Sequence, residues 1–503
     1  MTHCQANDFL LPPAWVVGFA GHRHLQNREK VREVLLTLVN SLRAEISGQL
    51  VGYSSVAIGG DTIFAEALLS CGLPWMALLP HPEHDFKNDF TESDWATTSA
   101  LLQRALRVQS LSEKKGTDRD LAYLECGILV VEEADLVVAV WDGKPARGVG
   151  GTADIVAIVR NSSKPLILID PDSLVVQRER LSPEVLSDPE INYLNEVANR
   201  EGVLLSANAK PEERVRRLFE NVDAKAARIA PRFRRWVAAS VIMNGLAAIL
   251  TAIGIAFELT SVVLSAITFI LMATATIAVL LIKKKKAHWK WIRCRVASEI
   301  CRSALATWKL PDVADPVWFN QLAGFGGLAK TLRLLKLTDR TCQVQNIAEW
   351  RESYLTGRID QQIDYFRHRR KQFSLGLSIL TFSFWTFSAV GIGRAILTAS
   401  VFGVGPILSL TPSQFFAWHT LEFLLPIALP LAAGCTLSLI SIFDLNRQLS
   451  RSRAMESLLM TARDQIAKCE SGASLRRAVE HTENAFAGEV FEWFTLFRYP
   501  RFN

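Results

Sequence analysis

Four stretches of this chain run for more than twenty residues without a charged side chain: Val237 to Phe257, Leu259 to Ile282, Phe373 to Gly393 and Phe423 to Phe443. A bilayer core takes about 20 apolar residues per helix, and a backbone in lipid must satisfy its own hydrogen bonds. Each stretch therefore predicts a transmembrane helix. The basic runs RFRR (232–235), KKKK (283–286), FRHRRK (366–371) and RQLSRSR (447–453) all border these segments. By the positive-inside rule they place the flanks and both termini in the cytoplasm, with Glu258 in a short outer loop. A buried helix of a soluble bundle is also apolar all round, but four runs of spanning length with basic flanks rarely coincide in one. Residues 395–421 are apolar yet broken by Gly and Pro, which fits an outer loop, an interfacial segment or a re-entrant one.

The net charge of +6 is small for 503 residues. Because the basic runs sit at apolar borders, they read as membrane flanks, and no nucleic-acid polymer is expected as a partner. The eight cysteines have no pair spacing and no hydrophobic targeting segment opens the chain, so reduced thiols and a cytosolic N-terminus are expected. The membrane half reads as two weak repeats, each with an aromatic or basic entry, two spans and a cytosolic helical segment. Apolar positions in 291–308, 453–469 and 475–494 recur every three or four residues, the mark of amphipathic helices that need partners. Residues 354–373 read as a helix running into the third span. The expected organisation is a nucleotide-binding domain over 1–175, a transmitting helical segment over 176–231, and two-helix transmembrane units over 232–345 and 346–503.

The first 170 residues alternate differently. Strands are expected at 14–21, 54–61, 74–80, 134–142 and 164–170, with helices at 27–46, 62–72 and 152–162 and a long polar, helical stretch before 134. Strands alternating with helices predict an α/β, Rossmann-like, doubly wound parallel sheet, followed here by an all-α membrane region. Ligands of such sheets bind beyond the carboxyl ends of the strands. Four polar turns fall at that edge: Gly21, His22 and Arg23; Gly59, Gly60 and Asp61; the LPHPEHDF turn; and Asp142 through Gly150, Gly151 and Thr152. Glycine turns that open helices present unpaired amides to an anion. Arg23, Lys144 and Arg147 are placed to add positive charge, and Asp61 and Asp142 to accept hydrogen bonds from ribose hydroxyls.

The blocks VVGFAGHR, AIGGDTIFAEALLSCGLPWMALLP and ADLVVAVWDGKPARGVGGTADIVAIVRNSSKPLILI resemble the SLOG superfamily. This is a Rossmann-like group that includes nucleotide sensors of bacterial conflict systems, the N-terminal region of TRPM channels, DprA and the LOG phosphoribohydrolases. The two-span units resemble, more loosely, the SLATT membrane effectors that accompany such sensors. The resemblance implies a nucleotide-derived ligand held by Gly21, Arg23, Gly59, Gly60, Asp61, Asp142, Gly150, Gly151 and Thr152. It also implies an inner-membrane effector of antiviral defence, homo-oligomeric, answering a messenger made by a separate enzyme and opening a pore or disrupting the bilayer. LOG hydrolases carry a Glu shortly after the Gly-Thr turn, where this chain offers Asp154, one methylene shorter. Binding is therefore favoured over hydrolysis. The competing reading is a membrane-anchored nucleotide hydrolase using Glu125, Asp142 or Asp154 as acid/base, and a further one is a reversible ligand-gated channel.

Other constellations read more simply. His81, Glu83, His84 and Asp85, with His22 and His24, give no complete metal-ligand spacing, so no metal or other cofactor is expected. Cys294 and Cys301, seven apart, are expected to pack against a partner helix. Arg394 and Glu422 read as interfacial anchors, and His419 has no assignable role.

Overall fold

The computed structural model describes residues 10–111, 119–146, 148–182, 186–201, 209–259, 262–284, 287–310, 313–314, 316–339, 346–401 and 420–498. The chain divides into two compact units. The first comprises Met1–Val222 and Ala297–Gln343, the second Asp223–Val296 and Val344–Asn503.

The first unit is built on a seven-stranded sheet: β1 (Ala14–Gly21), β2 (Gln49–Ser54), β3 (Trp75–Leu79), β4 (Arg107–Ser110), β5 (Leu136–Val140), β6 (Leu166–Ile169) and β7 (Val176–Glu179). The order is β4-β3-β2-β1-β5-β6-β7, parallel throughout except for β7, which pairs antiparallel with β6. The longer helices of its first segment that lie wholly within this unit are α1 (Arg28–Glu45), α2 (Gly60–Ser70), α3 (Glu92–Arg104), α4 (Arg119–Glu133), α5 (Thr152–Asn161) and α6 (Pro189–Glu201). Successive side chains of a strand point to opposite faces, and β1 uses both. Trp15, Val17 and Phe19 enter the core shared with α1 and α2, while Ala14 and Val16 enter the core shared with α4 and α5.

The α/β doubly wound expectation holds, with local corrections. The second strand forms at Gln49–Ser54, ahead of the expected 54–61. Val56 misleads the eye because it is fully buried, yet it reaches the core from a turn with φ of 57°. Strands β4 and β7 were not expected: both are short edge strands, largely exposed and polar, so neither carries the alternation that marks a half-buried strand.

The segment that follows the first two spans in sequence returns to this sheet. The chain passes into the second unit within α7 (Pro211–Ala256), continues through α8 (Val262–Lys284), and comes back within α9 (Ala287–Ala306) to α10 (Gly326–Thr338). Leu334 of α10 is fully buried in the core with Val16, Val137 and Ala139. The Thr331 hydroxyl accepts the Ala14 amide at 3.0 Å, a donor at the start of β1 that would otherwise be buried and unsatisfied. Lys330 pairs with Asp135 and Arg333 with Glu133.

The second unit is helical: α11 (Ile347–Tyr354), a π-helical turn (Leu355–Asp360), α12 (Gln361–Val401), a second π-helical turn (Thr420–Leu424), α13 (Leu425–Ile442), α14 (Leu445–Ala467) and α15 (Gly472–Arg498). Four helical stretches are long and apolar enough to cross a membrane: Pro211–Ala256, Val262–Leu281, Ile347–Leu397 and Thr420–Ala467. Only 22 %, 11 %, 0 % and 11 % of their most apolar windows are buried, so their apolar side chains face outward, as a lipid solvent favours and a soluble core does not. Phe382 and Trp385, 74 % and 65 % exposed, are the clearest cases. The third span runs past Gly393 as helix to Val401. Residues 402–419, including His419, lie outside the described residues. Arg394 bonds the Leu421 carbonyl at 2.8 Å and pairs with Glu422 at 3.2 Å.

Leu334→Ala should destabilise the first unit by about 2–4 kcal/mol, the usual effect of emptying a filled core site. Hydrogen exchange of the full chain should register it as lost protection in β1 and β5, with α12 and α13 unchanged.

Candidate functional site

Strands β2, β3 and β4 lie on one side of β1, and β5, β6 and β7 on the other. The sheet thus changes winding direction between β1 and β5, where two successive connections diverge and leave a crevice beyond the strand ends. A cleft of about 460 Å³ occupies that place, lined mainly by the turns that follow β1 and β5 and by one face of α4.

The predicted residues divide into those that line the cleft and those that build it. Gly21, His22, Arg23, Asp61, Asp142, Lys144, Gly150, Gly151 and Thr152 line it. Gly59 and Gly60 stand behind the wall. The Gly60 amide donates to the His22 carbonyl at 3.0 Å, so it is unavailable to a phosphate. A Cβ on Gly60 would lie 2.9 Å from the Gly21 Cα, and one on Gly59, at φ of 97°, only 2.3 Å from the Arg23 carbonyl oxygen. These glycines let the turn after β1 rest directly on the start of α2, backbone against backbone. Gly150 has a similar office: φ is 80°, and a Cβ there would lie 2.7 Å from the Leu124 amide nitrogen of α4.

The unspent amides are those of Thr152 and Ala153 in the first turn of α5. Neither donates to a protein acceptor among the described residues, and both residues line the cleft. A helix start with free amides in a concavity favours an anion through the donors and through the helix dipole. Lys144 and Arg23 bring full charges to the same cleft, while Arg147 lies outside the described residues.

Asp142 sits at the centre of a polar cluster. One carboxylate oxygen is 3.0 Å from His22 Nε2 and accepts the Lys144 amide at 3.1 Å; the other is 3.2 Å from Lys144 Nζ. Burial alone would raise this carboxyl, but the Lys144 amide and ammonium and the His22 ring outweigh it and hold it at about 2. His22 Nε2 also lies 3.1 Å from the Asp142 amide, so that nitrogen either accepts from the backbone or donates to the carboxylate. Asp61 is the opposite case. It is 3 % exposed, and burial pushes its carboxyl up to about 7 against a hydrogen bond from the Ser55 hydroxyl.

The acid/base candidates are placed separately. Asp142 is in the cleft, Asp154 accepts the Gly150 amide at 3.0 Å and so braces the glycine turn, and Glu125 is exposed on α4 away from the lining. His81 is buried with Nε2 unbonded, edge-on to Tyr123. Among the described residues no three His, Cys, Asp or Glu side chains gather as metal ligands.

Sequence reasoning missed the wall supplied by α4. Tyr123 and Asp120 line the cleft. The Arg23 guanidinium lies over the Tyr123 ring at 4.6 Å, and the Tyr123 hydroxyl donates to Asp89 at 2.8 Å. The LPHPEHDF turn, expected at the same edge, contributes no residue to the lining, and beyond it and Glu125 the stretch before residue 134 reads only as polar and helical, so nothing in it tied Tyr123 to the turn after β1. A flat aromatic face under a guanidinium beside an anion-ready helix start suits a planar, phosphorylated ligand. No protein-family model and no curated protein matches the chain.

Because burial favours protonated Asp61, its contribution to stability is complete below the ordinary carboxyl value of 3.8 and is lost as pH rises through about 7. Asp61→Asn, which cannot ionise, should remove that loss. Unfolding of the first unit, followed by hydrogen exchange at pH 4 and pH 7, should show the wild-type chain losing stability relative to the variant on going to pH 7.

Proposed function

We propose that this chain is an inner-membrane effector of bacterial antiviral defence whose sheet unit senses a nucleotide-derived second messenger. The observation that carries the reading is the cleft at the β1/β5 switch point. There the free amides of Thr152 and Ala153 meet Lys144, Arg23 and the Tyr123 ring in one concavity. Phosphate groups suit the amides and cations, ribose hydroxyls suit Asp61 and Asp142, and a base suits the Arg23 guanidinium that lies over the Tyr123 ring. The resemblance of the turns to SLOG sensors, and of the span pattern to SLATT effectors, supports the same assignment. The messenger, a cyclic oligonucleotide or an ADP-ribose derivative, comes from a separate enzyme.

A ligand shifts a conformational equilibrium only by the difference in its affinity for the two states. To move a population from about 1:99 to 99:1, the active state must bind about 10⁴-fold more tightly. Contacts shared between subunits of a homo-oligomer supply such a difference, because the resting arrangement lacks them. The chain itself offers a route for the change: the first two spans are continuous at both ends with segments of the sheet unit, through α7 and α9. With both termini in the cytoplasm, ligand binding would alter how the spans assemble, opening a pore or disrupting the bilayer.

The test is leakage of dye and ions from liposomes containing the full chain, titrated with cyclic oligonucleotides and ADP-ribose isomers while nucleotide breakdown is followed. The expected outcome is leakage with one ligand class and no consumption of it. Gly151→Glu, which puts a carboxylate at the start of α5, should abolish that leakage. Consumption without leakage would instead make the chain a membrane-anchored hydrolase, with the His22–Asp142 pair as the first acid/base candidate.

A further inference from the structure

The third span is the continuation of a helix that changes pitch before it reaches the apolar region. Between α11 and α12 the six residues Leu355–Asp360 form a π-helical turn, a rare geometry that accommodates one more residue per turn than its surroundings. Both sides of the turn are clamped. Tyr354 donates through its hydroxyl to Glu483 at 2.8 Å. Arg358 meets the same carboxylate with Nε at 3.0 Å and Nη2 at 2.9 Å and lies over the Phe486 ring at 4.1 Å. Asp360 accepts from Arg463 of α14 at 2.6 Å. Arg358 and Glu483 are 5 % and 0 % exposed, so this pair is held out of water. Thr356 and Gly357, in the middle of the turn, are exposed, and a Cβ on Gly357 would meet nothing within 4 Å.

A buried ion pair adds little net stability over apolar packing, and its best-attested use is to fix one register among competing ones. The competing register here is simple. If the turn relaxed to ordinary α-helix with the same residues, everything after it would advance by one position, a rotation of about 100° and a rise of about 1.5 Å. We propose that Leu355–Asp360 is a register switch for the third span, latched in its wide form by Tyr354 and Arg358 on Glu483. In the latched state Gly391 faces Leu429 of α13: a Cβ on Gly391 would lie 3.9 Å from the Leu429 Cβ. In the released state Val390, which is 49 % exposed in the structure, takes that place.

The two registers can be told apart by disulfides, since a Cβ separation of about 3.5–4.5 Å suits one. The full-length chain in liposomes carries the pair Gly391→Cys with Leu429→Cys, or Val390→Cys with Leu429→Cys, and oxidised products are mapped by mass spectrometry. The unmodified turn should favour the 391–429 bridge. Glu483→Gln removes the carboxylate that holds the latch and should shift the ratio toward 390–429 by roughly tenfold or more, given the penalty for breaking a buried pair. Deleting Gly357 in the Glu483→Gln chain removes the extra residue, so ordinary α-helix then reproduces the latched register and the 391–429 bridge should return. A merely structural pair would behave differently, because a deletion added to a damaged core would not repair it. Persistence of 391–429 as the main product in Glu483→Gln overturns the proposal. So does a loss of both bridges, or a gain of 390–429, that the Gly357 deletion fails to reverse.

Discussion

Strand β1 is the member on which the first unit takes its register, and it is held at both ends by groups distant in sequence. At its start the Ala14 amide is accepted by Thr331 and the Val16 amide by Asp135, while Leu11 just ahead exchanges two hydrogen bonds with Asn195. At its finish Gly21 abuts Gly60, and the His22 amide donates to the Val140 carbonyl. A central strand of a parallel sheet has no solvent to satisfy its polar ends, so each end recruits a partner. One end thereby becomes the wall of the cleft, and the other becomes the seat of α10, which follows the first two spans in the chain.

The glycines of the site separate into two physical kinds, and the difference decides what a ligand meets. Gly59, Gly60 and Gly150 are required because side chains would collide with backbone, and Gly21 because one would press on the Phe19 ring; at Gly59 and Gly150 φ is also positive. They shape the cleft without donating to it. The donors belong to Thr152 and Ala153, whose side chains have no part in presenting an amide. Asp154 bridges the two kinds: by accepting the Gly150 amide it fixes the turn that leaves the next amides open. The Asp154 carboxylate thus helps to shape the loop.

Much of this was legible in the sequence, for reasons tied to particular residues. The four apolar runs needed only length and charge. The parallel sheet showed through strands alternating with helices, and of the four turns expected to converge at its edge those after β1 and β5 supply most of the cleft lining. What stayed hidden depended on contacts without local periodicity. β4 and β7 are polar edge strands. Val56 imitates a strand residue from inside a turn. Tyr123 joins the site only because α4 passes beneath Arg23. Nor does anything in GGLAKTLRLLKLT mark α10 as part of the sheet unit: its Leu spacing says amphipathic helix, and the identity of the partner surface is a tertiary fact. The π-helical turn is hidden for the same reason, since the carboxylate that binds its residues, Glu483, lies 125 residues from Arg358.

The basic run at 366–371 shows one set of charges answering two demands. As sequence it is a positive flank of the kind expected to set which side of the bilayer the third span enters from. In the folded unit the same residues are engaged by neighbours. Arg367 and Arg370 both reach Glu456 of α14, at 3.3 and 3.1 Å. Arg369 donates to the Tyr365 hydroxyl and lies 4.9 Å over the Phe373 ring. Glu456 is 7 % exposed, and a carboxylate so placed would be costly without two guanidinium partners. Orientation needs cations near the entrance of the span, and α14 needs them to bury its acid. Placing one Glu against two Arg satisfies the second demand and leaves the first untouched, because orientation follows the Lys and Arg themselves and acidic residues contribute little to it.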